Sequence, residues 1–196
     1  MQSKNATRDK LIATGVKAML TLGYDGSGIG PILQEAGVPK GSFYHHFASK
    51  DDYAAAVIES YAARYAAMRQ RTFEDRARSP LARLSAHFEA LAGEMADAFP
   101  HGGCLYGMLA QTVALRSPIV RDALLQAFQA WEAGVVRLLA EAQAEGEIAP
   151  GADLHDIAAS VIDGYEGAIV RVKAEGDLAA FDRFITRLPR LTAMPI

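Results

Sequence analysis

Apolar residues recur along most of the chain every three or four positions, which is the spacing of one helix face, and no segment predicts a convincing strand. In the first such segment, with Thr7 as the predicted N-cap and Gly23 as the predicted end, the apolar residues that recur at helical spacing are Leu11, Ile12, Val16, Met19 and Leu20. The whole pattern predicts nine helices, at residues 7–22, 29–36, 39–45, 50–72, 80–98, 104–115, 117–145, 154–175 and 178–188. We therefore expect an all-α protein.

Capping residues and glycines mark several of these boundaries. Ser49 is placed to cap the helix that follows it, and Asp51 and Asp52 fall in its first turn, where negative charge is favourable. Asp153 is placed to cap the helix of residues 154–175. Gly37 separates two short helices and accepts the positive φ angle that a tight turn needs.

Composition agrees with a helical protein from a reducing compartment. Good helix formers such as Ala, Leu, Glu and Arg are abundant, and 196 residues allow one or two domains. The single cysteine, Cys104, excludes an internal disulfide framework. No apolar run is long enough to span a bilayer and the first residues are unlike a signal peptide, so we expect a cytoplasmic protein with no membrane partner.

Charge is distributed unevenly. Residues 1–50 carry six basic and three acidic side chains, a net charge of +3, whereas residues 51–196 carry fourteen basic and twenty acidic ones, a net charge of −6. This asymmetry indicates a local nucleic-acid surface attached to an acidic body.

Residues 29–47 have the spacing of a helix-turn-helix, with two short helices joined by the turn at Gly37. Ile32, Val38 and Phe43 are predicted to pack the two helices together. The second helix then projects Lys40, Ser42, Tyr44 and His45 into a major groove, where the amine of Lys40 can donate to guanine edges. The side chains that can donate to phosphates are those of Ser42, Tyr44, His46 and Lys50.

The segment AGVPKGSFYHHF at residues 36–47, followed by Ser49 and Lys50, resembles the DNA-binding signature of the TetR/AcrR family of bacterial repressors. Gly23 and Tyr24 also fit, and the resemblance covers about residues 7–60. It implies a ligand-responsive regulator, a homodimer that binds a palindromic operator and releases it when a small-molecule effector occupies the C-terminal domain. The DNA-contact positions that it implies are Ser27, Lys40, Gly41, Ser42, Tyr44, His45, His46 and Lys50.

The resemblance also implies two domains. Residues 1–50 would form a three-helix DNA-binding domain, and residues 51–196 a helical domain for ligand binding and dimerisation, with the helix of residues 49–72 as the link. Two departures stand out: Gly15 replaces a usual alanine, and Gly30 with Pro31 replaces a commoner polar pair. A glycine inside a helix costs roughly 1 kcal/mol against alanine, so we expect looser first helices.

The C-terminal part has no transferable motif, so its candidate ligand residues rest on residue type alone. Polar and aromatic side chains on apolar helices line either a ligand pocket or the ordinary core. The candidates are His87, Cys104, Tyr106, Met108, Gln111, Trp131, Tyr165, Glu166 and Arg171. The helices of residues 154–175 and 178–188 carry broad apolar faces, which we expect to form a four-helix dimer interface.

Cys104 has two interpretations. The stretch that begins at Gly103 is similar to the electrophile-sensing branch of the family, in which a cysteine at this place is modified by reactive carbonyls, quinones or oxidants. Such chemistry needs a thiolate, which a helix start and a cation at His101, Arg171 or Lys173 would favour. Alternatively, Cys104 is an inert core residue.

Two other classes of protein remain as alternatives. An enzyme with Cys104 as its nucleophile is possible in principle, yet the chain has no nucleophile elbow, phosphate loop or metal-ligand spacing. Because His45 and His46 are adjacent, they point about 100° apart on a helix, and we expect no metal site and no cofactor. A helical scaffold protein would leave the basic first fifty residues unexplained. We expect a regulator and not an enzyme.

Overall fold

The computed structural model describes residues 2–192, with side chains from residue 5 onward. This part of the chain is all-helical, which confirms the predicted fold class. Its nine helices are α1 (Gln2–Gly26), α2 (Ile29–Ala36), α3 (Lys40–Phe43), α4 (Lys50–Phe73), α5 (Pro80–Ala98), α6 (Leu105–Thr112), α7 (Pro118–Ala144), α8 (Leu154–Glu175) and α9 (Ala179–Thr192).

The predicted boundaries are confirmed for α2, α5 and α8, whereas both predicted ends of α1 are wrong. Thr7 lies inside α1 and is no cap, because the polar residues before it continue the helix. Gly23, with φ 68° and ψ −176°, interrupts α1 but one further turn follows it. Ser49 and Asp153 accept backbone N–H groups of the first turns of α4 and α8, as predicted.

The chain forms two compact units. The first contains residues up to 64 together with residues 103–128, and the second contains residues 65–102 together with those from 129 onward. In the first unit α6 packs against α1, so a helix from the predicted ligand-binding part belongs with the helix-turn-helix. The division at residue 50 remains a prediction.

An aromatic cluster forms the base of the first unit. Phe43, Phe47 and Tyr53 are buried, with ring centroids 4.9–5.4 Å apart, and the Tyr53 hydroxyl donates to the carbonyl of Leu11 at 2.6 Å. A Cβ at Gly15 would lie 2.1 Å from the Tyr53 hydroxyl. Gly15, expected to loosen the first helix, is therefore the residue that admits Tyr53.

A second aromatic cluster fills the second unit, where α9 packs against α5 and α8. Its rings are buried, with centroids between 5.2 and 6.5 Å apart, and they belong to Phe88, Trp131, Tyr165, Phe181 and Phe184. Most apolar residues of α8 and α9 that we expected at a dimer interface, such as Val161 and Ile169, are already buried within one chain. α8 and α9 therefore cover much of each other's apolar surface within one chain, and the dimer interface on these two helices remains a prediction.

Within residues 2–192, no helix combines the length and the apolar character that crossing a bilayer requires.

Candidate nucleic-acid interface

The turn between α2 and α3 is built around Gly37, as predicted. Gly37 has φ 60° and ψ 38°, the left-handed conformation that closes a helix without a Cβ penalty. Its N–H donates to the carbonyl of Gln34, and the N–H of Val38 donates to that of Leu33 at 2.9 Å. Pro39 then precedes α3 in an extended conformation, and the second helix begins at Lys40, three residues after Gly37.

Residues 39–47, which we call the recognition segment, have one buried face and one open face. Phe43 and Phe47 point inward, as predicted. Lys40, Gly41 and His45 are exposed, while Ser42 and His46 are half-buried. Tyr44 is the clearest feature, because this large aromatic residue is 62% exposed beside the fully buried Phe43. The predicted contact positions on this segment therefore reach solvent.

Lys10 adds a cation that sequence analysis did not select. Its ammonium nitrogen lies 3.7 Å from the place that a Cβ would take at Gly37. It comes from α1, which packs against α2, so nothing in the spacing of the recognition segment could have revealed it.

The structure contradicts the predicted phosphate contact of Ser27. Its side chain is 1% exposed, and its hydroxyl donates to the carbonyl of Tyr24 at 2.9 Å. The hydroxyl closes the turn before α2 and has no surface to offer a phosphate. We therefore remove Ser27 from the contact positions.

Lys50 is half-buried and already held by the protein. Its ammonium donates to the carbonyl of Tyr24 at 2.6 Å and lies 4.3 Å from the centroid of the Tyr24 ring. Burial lowers the pKa of this ammonium, against the effect of the nearby carboxylates of Asp25 and Asp51. Lys50 therefore orients the start of α4 as well as offering charge.

Asp51 joins three elements of the first unit. It accepts hydrogen bonds from the hydroxyls of Tyr24 and, at 2.7 Å, Ser117, and these two bonds are the main cause of its lowered pKa. Beside it, Arg116 donates to Asp25 at 2.8 Å. The connection between α6 and α7 is thus tied to the end of α1 and the start of α4. Sequence analysis interpreted Asp51 only as a helix-start charge, because its partners lie far away along the chain.

The predicted ligand residues are divided between the two units. Cys104, Tyr106, Met108 and Gln111 belong to the first unit, whereas the other five belong to the second. Gln111 is exposed. Arg171 is exposed, pairs with Glu175 and lines an open cleft of ≈ 260 Å³ in the second unit.

His87 is part of the core of the second unit. Its ring packs edge-on against Phe73 and Phe88, and its Nδ1 lies 3.2 Å from the Thr72 hydroxyl. Burial, and secondarily the charge of Arg69, lowers the pKa of His87 to about 3. The imidazole is therefore neutral at physiological pH.

Cys104 is buried, with 5% of its surface exposed, and it is the N-cap residue of α6. Next to it, the carbonyl of Gly103 accepts from the Tyr61 hydroxyl at 3.4 Å, and the Tyr61 ring meets the Tyr106 ring edge-on. Among the described residues, no group of His, Cys, Asp and Glu side chains has the arrangement of a metal site.

Two short helices around a left-handed glycine, with cations and an exposed tyrosine above a buried aromatic base, define a helix-turn-helix DNA-binding protein. Family models agree: residues 11–57 match the bacterial regulatory proteins of the tetR family, and residues 80–188 match the tetracyclin repressor-like C-terminal domain. The chain belongs to the TetR family of transcriptional regulators.

Individual relatives support this membership. Transcriptional regulator AcuR of Cereibacter sphaeroides is 37% identical over 84% of this chain and 75% of its own length. The HTH-type transcriptional repressor DhaR of Mycobacterium sp. strain GP1 is 30% identical over 94% of this chain and 91% of its own. A solved regulatory protein TetR from Rhodobacter sphaeroides has a TM-score of 0.86 and 35% identity, covering 93% of this chain and 97% of its own.

Proposed function

We propose that this regulator is a repressor, a homodimer that binds a palindromic operator and is released by a small-molecule effector or by modification of Cys104. The observation that carries the proposal is the recognition segment, whose polar side chains stand open over Phe43 and Phe47. Repression is supported by the relative named as a repressor.

In the proposed complex the recognition segment lies in the major groove. Lys40 donates to guanine edges, and Tyr44, His45 and His46 donate to phosphates together with Ser42 and the backbone at Gly41. Lys10 and Lys50 add positive potential at the two ends of the segment. A single short helix makes few base contacts, so two copies about 34 Å apart, one turn of B-DNA, supply the specificity.

The dimer is proposed to use the outer face of α8. Val170 leaves 48% of its apolar side chain exposed, and no atom lies within 4 Å of a Cβ built at Gly167. The absence of a side chain at Gly167 permits close approach of a second helix. A Val170→Asp variant is expected to sediment as a monomer and to lose operator affinity.

Coupling between effector and DNA is proposed to pass through Asp51. Its hydrogen bond from Ser117 ties the start of α7 to the start of α4, just after the recognition segment. An effector that prefers one position of α7 would then also change the position of Lys50 and of the segment before it. Cys104, at the start of α6, is the proposed alternative trigger. If Cys104→Ser leaves release by every tested electrophile unchanged, the trigger is the ligand alone.

The test is DNA binding by the full-length protein. A duplex is first selected from genomic fragments that the protein retains, and its affinity is measured by fluorescence anisotropy across a salt series. Lys40→Ala is expected to weaken binding on the order of tenfold to a hundredfold, because a base contact contributes about 1–3 kcal/mol. Lys173→Ala, a lysine of the second unit, is the matched control and should bind as the wild type does.

Two results would overturn the proposed DNA interface. One is retention of no duplex even at low salt, where phosphate contacts are strongest. The other is equal affinity for the Lys40→Ala and Lys173→Ala proteins.

A further inference from the structure

A cleft of ≈ 440 Å³ lies in the second unit between the last turns of α4 and the second half of α7. Its volume falls within the range of small-molecule sites. It contains none of the ligand residues predicted from sequence. Its lining consists of Ala66, Arg69, Gln70, Phe73, Glu74, Arg76, Gly134, Arg137, Leu138 and Glu141.

The cleft carries more positive than negative charge. Arg76 and the fully buried Arg83 both donate to one carboxylate, Glu141, whose pKa they lower. Glu74 accepts from Gln70 at 3.0 Å. Three lining arginines and Arg83 therefore face two lining glutamates. Arg137, on the open side, has no ion pair or hydrogen bond among the described residues.

The side chain of Arg69 lies in space that is open because residue 134 is a glycine. A Cβ at Gly134 would lie 2.8 Å from the Arg69 Nε and 3.4 Å from its Cδ, so the guanidinium group lies close to α7 in the space that a side chain at residue 134 would take. The positive charge of Arg69 also contributes to the lowered pKa of the buried His87. Arg69 and Arg137 thus stand on the two helices that border the cleft.

Apart from Gln70, the uncharged part of the lining is apolar and includes Ala66, Phe73 and Leu138. We propose that this cleft binds an organic acid, whose carboxylate is held by Arg69 and Arg137 and whose apolar body lies on Phe73 and Leu138. A guanidinium offers two parallel donors to a carboxylate, which suits this group better than a point charge would. A ligand with no apolar body would use only half of the lining.

We further place this acid among the effectors, a step that rests on the proposed function. The cleft is bordered by α4 and α7, and the same two helices are joined at their starts by the Ser117–Asp51 hydrogen bond at 2.7 Å. A carboxylate held between Arg69 and Arg137 changes the spacing of α4 and α7 at one end of this pair. Only a ligand that prefers the new spacing weakens DNA binding.

Binding is tested by titration calorimetry of the full-length protein at constant ionic strength, with benzoate, its neutral counterpart benzamide, and inorganic phosphate. We expect saturable benzoate binding that is at least tenfold tighter than binding of either other compound. Arg137→Gln and Arg69→Gln should each weaken benzoate binding at least tenfold. Arg121→Gln, an exposed arginine of the first unit, is the matched control and should leave it unchanged.

Several outcomes of the calorimetry would contradict the proposed carboxylate site. Equal binding of benzamide removes the role of the arginines, and equal binding of phosphate reduces the cleft to an inorganic anion site; either overturns the proposal. So does wild-type benzoate affinity in Arg137→Gln, a substitution on the surface that leaves the core intact. Benzoate bound without any change in operator affinity overturns the effector role alone. Failure to retain any duplex overturns the proposed function but leaves the binding result standing.

Discussion

The recognition segment and the aromatic cluster of the second unit use similar residues for opposite purposes. In the recognition segment, Tyr44 is 62% exposed next to Phe43, which is fully buried. In the second unit, the aromatic side chains of Trp131 and Tyr165 are both at least 94% buried. In the recognition segment an aromatic side chain is exposed to solvent above a buried ring, whereas in the second unit the aromatic side chains form the hydrophobic core.

This difference shows where residue type in the sequence predicts whether a side chain is exposed or buried. In the recognition segment the turn at Gly37 and the inward phenylalanines fix which side chains face out, so spacing alone separates contacts from core. In the second unit, orientation depends on α5, α7, α8 and α9 together. The same residue types there give no local sign of whether they line a cavity.

The largest expected effect is on stability and comes from the aromatic cluster beneath the recognition segment. Phe43→Ala removes a buried ring from contact with Phe47 and Tyr53, and should lower the free energy of unfolding by about 3–5 kcal/mol. Tyr44→Ala, one position along, should change stability by less than about 0.5 kcal/mol and yet weaken operator binding. Urea unfolding and DNA anisotropy on both variants separate the two roles. Equal stability losses would mean that Tyr44 also belongs to the base.

A second prediction contrasts two glycines of the first unit. Gly15→Ala places a methyl group 2.1 Å from the Tyr53 hydroxyl and should cost about 1–3 kcal/mol of stability as the aromatic cluster shifts. Gly30→Ala meets nothing within 4 Å and should stabilise α2 by up to about 1 kcal/mol. Thermal unfolding of both variants at one protein concentration measures the contrast. A stabilising Gly15→Ala would show that Tyr53 moves aside without cost.

These particular residues show how far the sequence could predict the molecule. Helical spacing, Gly37, Ser49 and Asp153 are local signals, and the helices that depend on them were predicted well. Gly15 looked like a defect because its partner Tyr53 lies 38 positions away. A glycine that admits a distant side chain has no signature in its own segment.

The candidate site divides in the same way. The polar positions of the recognition segment were predicted from a contiguous motif, whereas Ser27 was misjudged because its hydroxyl turns back to Tyr24. The network at Asp51 and the arginine cleft escaped prediction, since each brings together residues from separate helices. Arg69, for example, lies in the space beside Gly134, which is 65 positions later in the chain.

A third prediction uses the neutral, buried His87. Folding lowers its pKa from 6.5 to about 3, so below pH 6.5 the unfolded chain binds a proton that the folded chain does not. Stability contributed by the neutral ring is therefore complete above pH 6.5 and falls as the pH drops towards 3. Between pH 7 and pH 5 the loss should be about 2 kcal/mol.

The matched variant for this pH effect is His87→Gln, which keeps a polar side chain but cannot titrate in this range. Urea unfolding at pH 7 and pH 5, at fixed protein concentration, should show a smaller acid loss for the variant by about the same 2 kcal/mol. An unchanged loss in the variant would assign the acid sensitivity to other groups.

The smallest expected effect compares an N-cap residue of the first unit, Ser49, with one of the second unit, Asp153. The Ser49 hydroxyl accepts the N–H of Asp52 at 3.0 Å, and Asp153 accepts the N–H groups of His155 at 2.9 Å and Asp156 at 3.1 Å. Replacing either cap by alanine should cost about 1 kcal/mol of stability. Ser49→Ala should also weaken operator binding severalfold, because it loosens the turn that carries Lys50 and Asp51. Asp153→Ala should bind the operator as the wild type does, at temperatures where both variants are folded. If the two variants lose the same operator affinity, the caps act through general stability, and the start of α4 has no separate part in holding the recognition segment.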